Sequence, residues 1–139
     1  MTRVSTNPPL VERESVRVMF LQTVDEQEAI TQVWAQLEAA VGSLRGRKFY
    51  GVFDPATGAY RACVQWREGD RADALRLHDG AIAGGRYVRE RLEGDPPEIY
   101  LRIQPAFERL SRRLDRDPSR PEIEYYRRRD LIDLLLPVV

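Results

Sequence analysis

The same order of predicted elements occurs twice along this chain, and that repetition is the feature that most constrains its fold. Residues 15–66 read as a strand, a helix and a two-stranded hairpin, and residues 81–138 repeat that order. Repeated units of this kind bury a continuous core by packing against each other. We therefore predict one α+β domain over residues 15–139 with pseudo-twofold symmetry. An antiparallel sheet carries two helices on one face, and a ligand cleft lies between the repeats.

The first repeat contains the clearest helix. A strand over residues 15–24 is rich in β-branched and apolar residues, and residues 1–14 before it read as a flexible tail. Six apolar residues then recur at helical spacing. Gly46 is suited to end this helix, because glycine is common just after helix C-termini. Hairpin arms follow at residues 47–54 and 59–66. The helical stripe, which we assign to the core, consists of Ile30, Val33, Trp34, Leu37, Val41 and Leu44.

The second repeat begins after a charged connection over residues 67–79, which we read as surface with a short helical turn near residues 72–77 and His78 in a loop. A strand is predicted over residues 81–91, with a bend at Gly84 and Gly85. A second amphipathic helix covers residues 98–114, and Pro105 should kink or restart it. The closing hairpin has its arms at residues 122–127 and 131–138.

Composition narrows the classes of function. Acidic and basic residues balance at 22 each, which argues against binding DNA through its phosphates. A lone cysteine, Cys63, and a lone histidine, His78, cannot form a disulfide or a typical zinc site. Cys63 reads as a small buried hydrophobe. No apolar run is long enough to span a membrane or act as a signal peptide. We predict a cytoplasmic protein without metal or cofactor, and its oligomeric state stays open.

Glu124 is the first candidate for a functional residue. Strand alternation places Glu124 and Tyr126 on one face of the sheet, and Ile123 and Tyr125 on the other. A carboxylate beside a phenol can pair with a cationic ligand, or act as a base if burial raises its pKa. The alternative is a solvated strand glutamate paired with an arginine, which spacing alone favours because unpaired buried glutamate is uncommon.

Aromatic residues supply the other candidates for the wall of a cleft. Aromatic rings offer apolar area, stacking and attraction to cations, although each ring taken alone is more often part of a core. Tyr60 and Phe49 belong to this group. The predicted ligand-binding set, besides Glu124 and Tyr126, consists of Tyr50, Trp66, Tyr87, Tyr100 and Phe107.

Four short motifs recur here in an order typical of a known family. They are GRKFYGV at residues 46–52, GGRY at 84–87, PEIEYY at 121–126 and IDLLLPV at 132–138. Together they resemble the GyrI-like small-molecule-binding domains, which also serve as effector-binding domains of AraC-type and MerR-type transcription activators. The resemblance covers residues 15–139. It implies a tandem-repeat fold and a cleft lined by aromatics around a buried acid, whose position Glu124 occupies.

The resemblance also implies a function. Family members bind diverse lipophilic and often cationic compounds, so the leading prediction is a stand-alone multidrug-type binding protein. Some members resemble hydrolases that open strained cyclopropane rings, and here Glu124 with Tyr126 or Tyr50 would activate water. A third alternative is an interaction role like that of gyrase-inhibiting members. Only a short tail precedes the first strand, so we predict no direct DNA binding.

Overall fold

In a computed structural model, which describes residues 8–139, the chain forms one eight-stranded sheet and three helices. No helix in that range is long and apolar enough to cross a membrane. The elements in chain order are β1 Leu10–Arg13, β2 Val16–Val24, α1 Gln27–Val41, β3 Phe49–Asp54, β4 Ala59–Gln65, β5 His78–Ile82, β6 Gly85–Glu93, α2 Glu98–Leu101, α3 Ile103–Arg113, β7 Glu122–Arg128 and β8 Leu131–Pro137.

The strands lie in the order β1-β6-β8-β7-β3-β4-β2-β5, and every neighbouring pair is antiparallel. Strands β3 and β7 pair at the middle of this order, where the first predicted repeat meets the second. The sheet is strongly curled. The predicted α+β class with an antiparallel sheet is therefore confirmed.

The helix-bearing face of the sheet holds two separate apolar clusters. Helix α1 packs over β2 and β4, where Leu37 meets Met19 and Val64. The α2 and α3 helices pack over β6 and β8, and Leu110 and Leu134 belong to the apolar cluster formed there. Strands β3 and β7 run between the two clusters. A gap between the helices consequently lies directly above the middle of the sheet.

The opposite face is filled in a different way. Its cluster contains Val18, Tyr50, Tyr87, Ile123 and Leu135, each of them 2% exposed or less. No described helix belongs to this cluster, because the curled sheet wraps around these side chains. Cys63, which is 1% exposed, belongs to the same cluster, so its assignment as a buried hydrophobe is confirmed.

Gly84 marks a close crossing of two chain segments. The links β1–β2 and β5–β6 pass each other there. A Cβ placed on Gly84 would lie 2.7 Å from the Ser15 nitrogen and 2.8 Å from the Arg13 oxygen. This crossing divides the single strand predicted over residues 81–91 into β5, which pairs with β2, and β6, which pairs with β1 and β8.

Two further expectations are corrected by the structure, and a third is confirmed. Strand β1 lies inside the predicted tail, since its backbone pairs with β6; residues 1–7 lie outside the described range. His78 opens strand β5, because its backbone pairs with Phe20 in β2. The short helical turn predicted near residues 72–77 is present as consecutive hydrogen-bonded turns, in which the Leu75 N–H donates to the Arg71 carbonyl at 3.2 Å and the Leu77 N–H to the Ala72 carbonyl at 2.8 Å.

The second helix is interrupted at Arg102, three residues before Pro105. Pro105 then occupies the first turn of α3, where a backbone N–H has no acceptor within the helix. The proline is therefore accommodated without a kink at its own position. The prediction of a restart was correct in kind, and its location was wrong by one helical turn.

Candidate functional site

A cleft of about 1090 Å³ occupies the gap between α1 and α3. Its floor is formed by β3, β4 and β7, and its walls come from the two helices and from α2. A cavity of this size is typical of small-molecule sites. The lining residues that matter chemically are Trp34, Phe49, Tyr60, Tyr100, Phe107, Glu122, Glu124 and Tyr126.

Glu124 lies at the centre of the floor. Its strand, β7, pairs with both β3 and β8, so Glu124 sits between Gly51 and Leu134 and is only 8% exposed. Two phenols donate to its Oε1 atom, Tyr126 at 2.5 Å and Tyr60 at 3.0 Å. Tyr60 in turn accepts a hydrogen bond of 3.0 Å from the Trp34 indole N–H. A carboxylate, which can only accept, suits this arrangement of donors.

Gly51 makes room for the phenol bonds. It pairs with Glu124 across β3 and β7, and a Cβ at this position would collide with both the Tyr60 hydroxyl and Glu124 Oε1. Any other residue would have to displace one of those oxygens. Gly51 is thus part of the site although it contributes no side chain.

Burial controls the protonation of this cluster. Burial raises the pKa of Glu124, and the hydrogen bonds from Tyr126 and Tyr60 lower it in part. Burial and the nearby Glu124 charge raise the pKa of Tyr60 and of Tyr126 well above the ordinary tyrosine value. Both phenols therefore stay protonated as donors, whereas Glu124 gains its proton at a higher pH than an exposed glutamate does.

Three carboxylates are buried in the described part of the chain, and only Glu124 has no cationic partner. Glu122 pairs with Arg116 at 2.7 Å. Asp133 pairs with Arg91 at 2.7 Å and with Arg127 at 3.3 Å. Within residues 8–139, Glu124 takes part in no salt bridge. Its charge is stabilised by phenols alone, which leaves the cleft with an uncompensated negative centre.

The remaining charges around the cleft favour the same sign. Of its five acidic lining residues, Glu122 alone is ion-paired within residues 8–139, and the others are Asp25, Glu38, Glu108 and Glu124. Subtracting the paired groups leaves four carboxylates and two arginines. Four of the six lining arginines have an acidic partner, in the pairs Arg47–Asp70, Arg116–Glu122, Arg127–Asp133 and Arg128–Asp130, of which Asp133 is shared with Arg91.

Aromatic rings surround the carboxylate. The Trp34 ring meets the Tyr126 ring edge to face at 5.3 Å and the Phe49 ring at 6.1 Å. Tyr100, on α2, approaches Tyr126 from the other side at 6.5 Å and is 43% exposed at the edge of the cleft. Phe107 adds an apolar wall from α3. Aromatic faces next to a carboxylate attract a cation from two directions.

Four of the predicted site residues line the cleft: Glu124, Tyr126, Tyr100 and Phe107. The other three do not. Tyr50 stacks on Tyr125 at 4.8 Å on the opposite sheet face, because the register pairs these two residues.

Tyr87 and Trp66 also lie outside the cleft. Tyr87 is fully buried on the opposite face, and its hydroxyl donates to the Ala83 carbonyl at 2.6 Å. Trp66 follows the end of β4 and donates to the Asp70 carbonyl at 3.1 Å, while the Arg17 guanidinium lies 4.2 Å from its ring centroid.

Trp34 is a cleft residue that the helical pattern assigned to the core. Trp34 does pack against the core cluster beneath α1, but its ring also borders the cleft, because the apolar stripe of α1 is wider than the strip that touches the sheet. The sequence gives one indication of a polar neighbour for Trp34, because a largely buried indole N–H needs a hydrogen-bond acceptor. That acceptor, Tyr60, lies 26 residues away in sequence.

No group of three or more metal-ligating side chains occurs within residues 8–139.

Comparison with known proteins places the fold. No family model and no curated protein matches the chain. An integron cassette protein of Vibrio cholerae, VCH_CASS2, is similar in structure with a TM-score of 0.76 at 18% identity, over 96% of this chain and 97% of that one. The fold is consistent with a GyrI-like domain.

Two other solved structures share this fold. The protein SAV2435, in a structure bound to tetraphenylphosphonium, has a TM-score of 0.72 at 13% identity, over 96% of this chain and 94% of that chain. A hydrolase from Listeria innocua has a TM-score of 0.56 at 12% identity, over 96% and 92% respectively.

Proposed function

We propose that this protein is a multidrug-type binding protein of the GyrI-like kind, which captures lipophilic, cationic aromatic compounds in the cleft between α1 and α3. The single observation that carries the proposal is Glu124, a buried carboxylate without a cationic partner among the described residues, set among aromatic rings. A buried charge of this kind is costly unless something compensates it. A ligand cation supplies the compensation when it enters.

The walls match the apolar part of such a ligand. Trp34, Phe49 and Tyr100 present ring faces or edges near the carboxylate, and Phe107 closes the α3 side. Large aromatic surfaces contribute affinity without demanding one exact shape. The excess of unpaired carboxylates around the cleft would draw cations to it and repel anions.

The structural neighbours are compatible with this reading. SAV2435 has been solved with tetraphenylphosphonium, a lipophilic monocation. That observation belongs to SAV2435. It motivates the choice of the same ion as the first probe for this chain.

The experiment is a calorimetric titration with tetraphenylphosphonium and with tetraphenylborate, an anion of nearly the same shape. The cation should bind saturably and the anion should bind far more weakly. Glu124→Gln keeps the size of the side chain and removes the charge, so it should weaken cation binding by about tenfold or more. Glu93→Gln, on an exposed residue of β6 outside the cleft, is the matched control and should bind as the wild type does.

Equal binding of the two ions, or equal binding of the cation by wild type and a folded Glu124→Gln, would refute the proposed charge recognition. Thermal unfolding of each variant checks that the protein is folded.

A second candidate function is hydrolysis of a strained electrophile, such as an activated cyclopropane. It is favoured by the contact between Tyr126 and Glu124, since a carboxyl group with a raised pKa beside a phenol combines a base with a proton donor. Incubation with a spirocyclopropyl dienone, followed by mass spectrometry, should then reveal an enzyme-dependent addition of water. Product formation that is unchanged in Glu124→Gln would rule out this role for Glu124.

A further inference from the structure

The two oxygens of the Glu124 carboxylate have different surroundings. Both phenol hydrogen bonds end on Oε1. Oε2 accepts no hydrogen bond from residues 8–139, and it is not among the buried polar atoms of that range that lack both solvent contact and a partner. An unbonded oxygen that is not sealed from solvent, on a side chain that lines the cleft, is open to the cleft. Oε1 thus accepts both hydrogen bonds from the protein, and Oε2 faces the cleft.

We propose that the cleft selects cations that carry N–H bonds, namely protonated aromatic amines and amidines, over quaternary onium ions of the same charge. The proposal rests on the proposed function, because it concerns the same carboxylate. A protonated amine can donate directly to Oε2 and form a short, charge-assisted hydrogen bond. An onium ion can offer only its charge, at a distance set by its alkyl or aryl groups.

The carboxylate also lacks an alternative donor within the described part of the chain. Glu122 and Asp133 receive charge-assisted hydrogen bonds from Arg116 and Arg91, whereas Oε2 of Glu124 receives none. Hydrogen bonds are electrostatically stronger in the low-dielectric surroundings of a largely apolar cleft than in bulk water. We therefore expect an N–H donor that enters the cleft to form a stronger hydrogen bond with Oε2 than it would form with an exposed glutamate.

The aromatic walls fix where the rest of the ligand lies. Trp34 and Tyr126 belong to the hydrogen-bond cluster and to the wall, since Trp34 bonds Tyr60 and both rings meet at 5.3 Å. A ligand that places its nitrogen at Oε2 therefore lies near the Tyr126 ring, whose hydroxyl donates to Oε1 of the same carboxylate. The preferred class is therefore an aryl group separated by a short link from its N–H cation.

The experiment compares three ligands with one aromatic body by calorimetry, at a pH at which the amine is protonated. They are 1-naphthylmethylammonium, (1-naphthylmethyl)trimethylammonium and neutral 1-naphthylmethanol. The wild type should bind the ammonium ion about tenfold or more tightly than the trimethylammonium ion. In Glu124→Gln that ratio should fall close to one. The ratio in the unmodified protein stays decisive even if the variant does not fold.

Tetraphenylphosphonium, titrated in parallel, separates the two proposals. If it binds through Glu124 but the trimethylammonium ion equals or exceeds the ammonium ion, the N–H preference is refuted and the proposed function stands. If neither cation nor tetraphenylphosphonium binds, both proposals fail. A preference for the ammonium ion that persists unchanged in folded Glu124→Gln would also refute the assignment to Oε2.

Discussion

Strand β7 presents two different environments on its two faces. Toward the helices it carries Glu124 and Tyr126, which line an open cleft. Away from the helices it carries Ile123, which is 1% exposed, and Tyr125, which stacks on Tyr50. The polar face is open because two helices cover it incompletely, and the apolar face is closed because the sheet curls around it.

The two faces of one sheet thus serve different purposes, one stability and the other binding. The cluster inside the curl spans strands of both predicted repeats and stabilises the fold through apolar burial. On the helix side, the floor between α1 and α3 stays uncovered, and the buried carboxylates Glu122 and Glu124 lie there. Variants on the two faces should accordingly separate stability from ligand binding.

We expect the greatest loss of stability from a substitution at Gly84, where the β1–β2 and β5–β6 links cross. In Gly84→Ala the new methyl group would meet backbone atoms of Ser15 and Arg13, which cannot move without distorting β1, β2, β5 and β6. Overpacking of this kind should lower the free energy of unfolding by about 3 kcal/mol in urea denaturation. Ala83→Ser, at an exposed neighbour, should change it by less than about 0.5 kcal/mol. Equal stability of the two variants would contradict the close crossing.

The next effect contrasts two glycines, one on each face. Gly51→Ala would push against Tyr60 and Glu124 in the cleft, and Gly80→Ala would push against Phe20 in the closed cluster. Each should cost about 2 kcal/mol in unfolding free energy. Only Gly51→Ala should also weaken tetraphenylphosphonium binding, by about tenfold, because it displaces the phenol or the carboxylate.

Two outcomes of the Gly51→Ala and Gly80→Ala measurements would contradict this expectation. If both variants bind tetraphenylphosphonium like the wild type, Gly51 does not support the carboxylate. A loss of binding in both variants would mean that the two faces are not independent.

A smaller effect is expected from removing one hydroxyl on either face. Tyr126→Phe removes a donor from Glu124 Oε1, which should lower the free energy of unfolding by about 1 kcal/mol. It should also raise the pKa of Glu124, because a hydrogen bond that favours the charged form is lost. The midpoint pH of tetraphenylphosphonium binding should therefore rise.

Tyr125→Phe is the matched control, since it keeps the stacked ring and lies on the other face. Its midpoint pH should equal that of the wild type. An upward shift in Tyr125→Phe of the same size as in Tyr126→Phe would contradict the assignment of the Tyr126 hydroxyl.

The smallest effect is on the pH dependence of stability. Burial raises the pKa of Glu124 in the folded state above its ordinary value of 4.5. The folded state therefore retains a proton at pH values where the unfolded state has lost it, so this group makes stability fall as pH rises from about 4.5 through the folded-state pKa. Glu124→Gln has no such titration.

The difference in unfolding free energy, wild type minus Glu124→Gln, should consequently decrease as pH rises through that window. Chemical denaturation at several pH values measures it. A difference that increases with pH would show that the phenol bonds outweigh burial.

The sequence pattern was sufficient for the local parts of this structure. Strand alternation placed Glu124 beside Tyr126, and apolar spacing located α1 and both hairpins. These features depend on neighbours a few residues apart, which periodicity records directly.

The parts that could not be predicted depend on long-range register. Tyr60 bonds a carboxylate 64 residues away, and Tyr50 faces away from the cleft because it pairs with Tyr125. A shift of one residue would exchange the two faces of a strand, and nothing local fixes that choice. The crossing at Gly84 was equally hidden, since it depends on the approach of the β1–β2 link.

The division of the helix face into two clusters also affects what a bound ligand would connect. Helix α1 with β2 and β4 forms one block, and α3 with β6 and β8 forms another. The blocks join along the β3–β7 pairing, at the crossing links and through the apolar cluster inside the curl. A ligand that contacts both α1 and α3 would therefore connect the two blocks across the open side of the cleft.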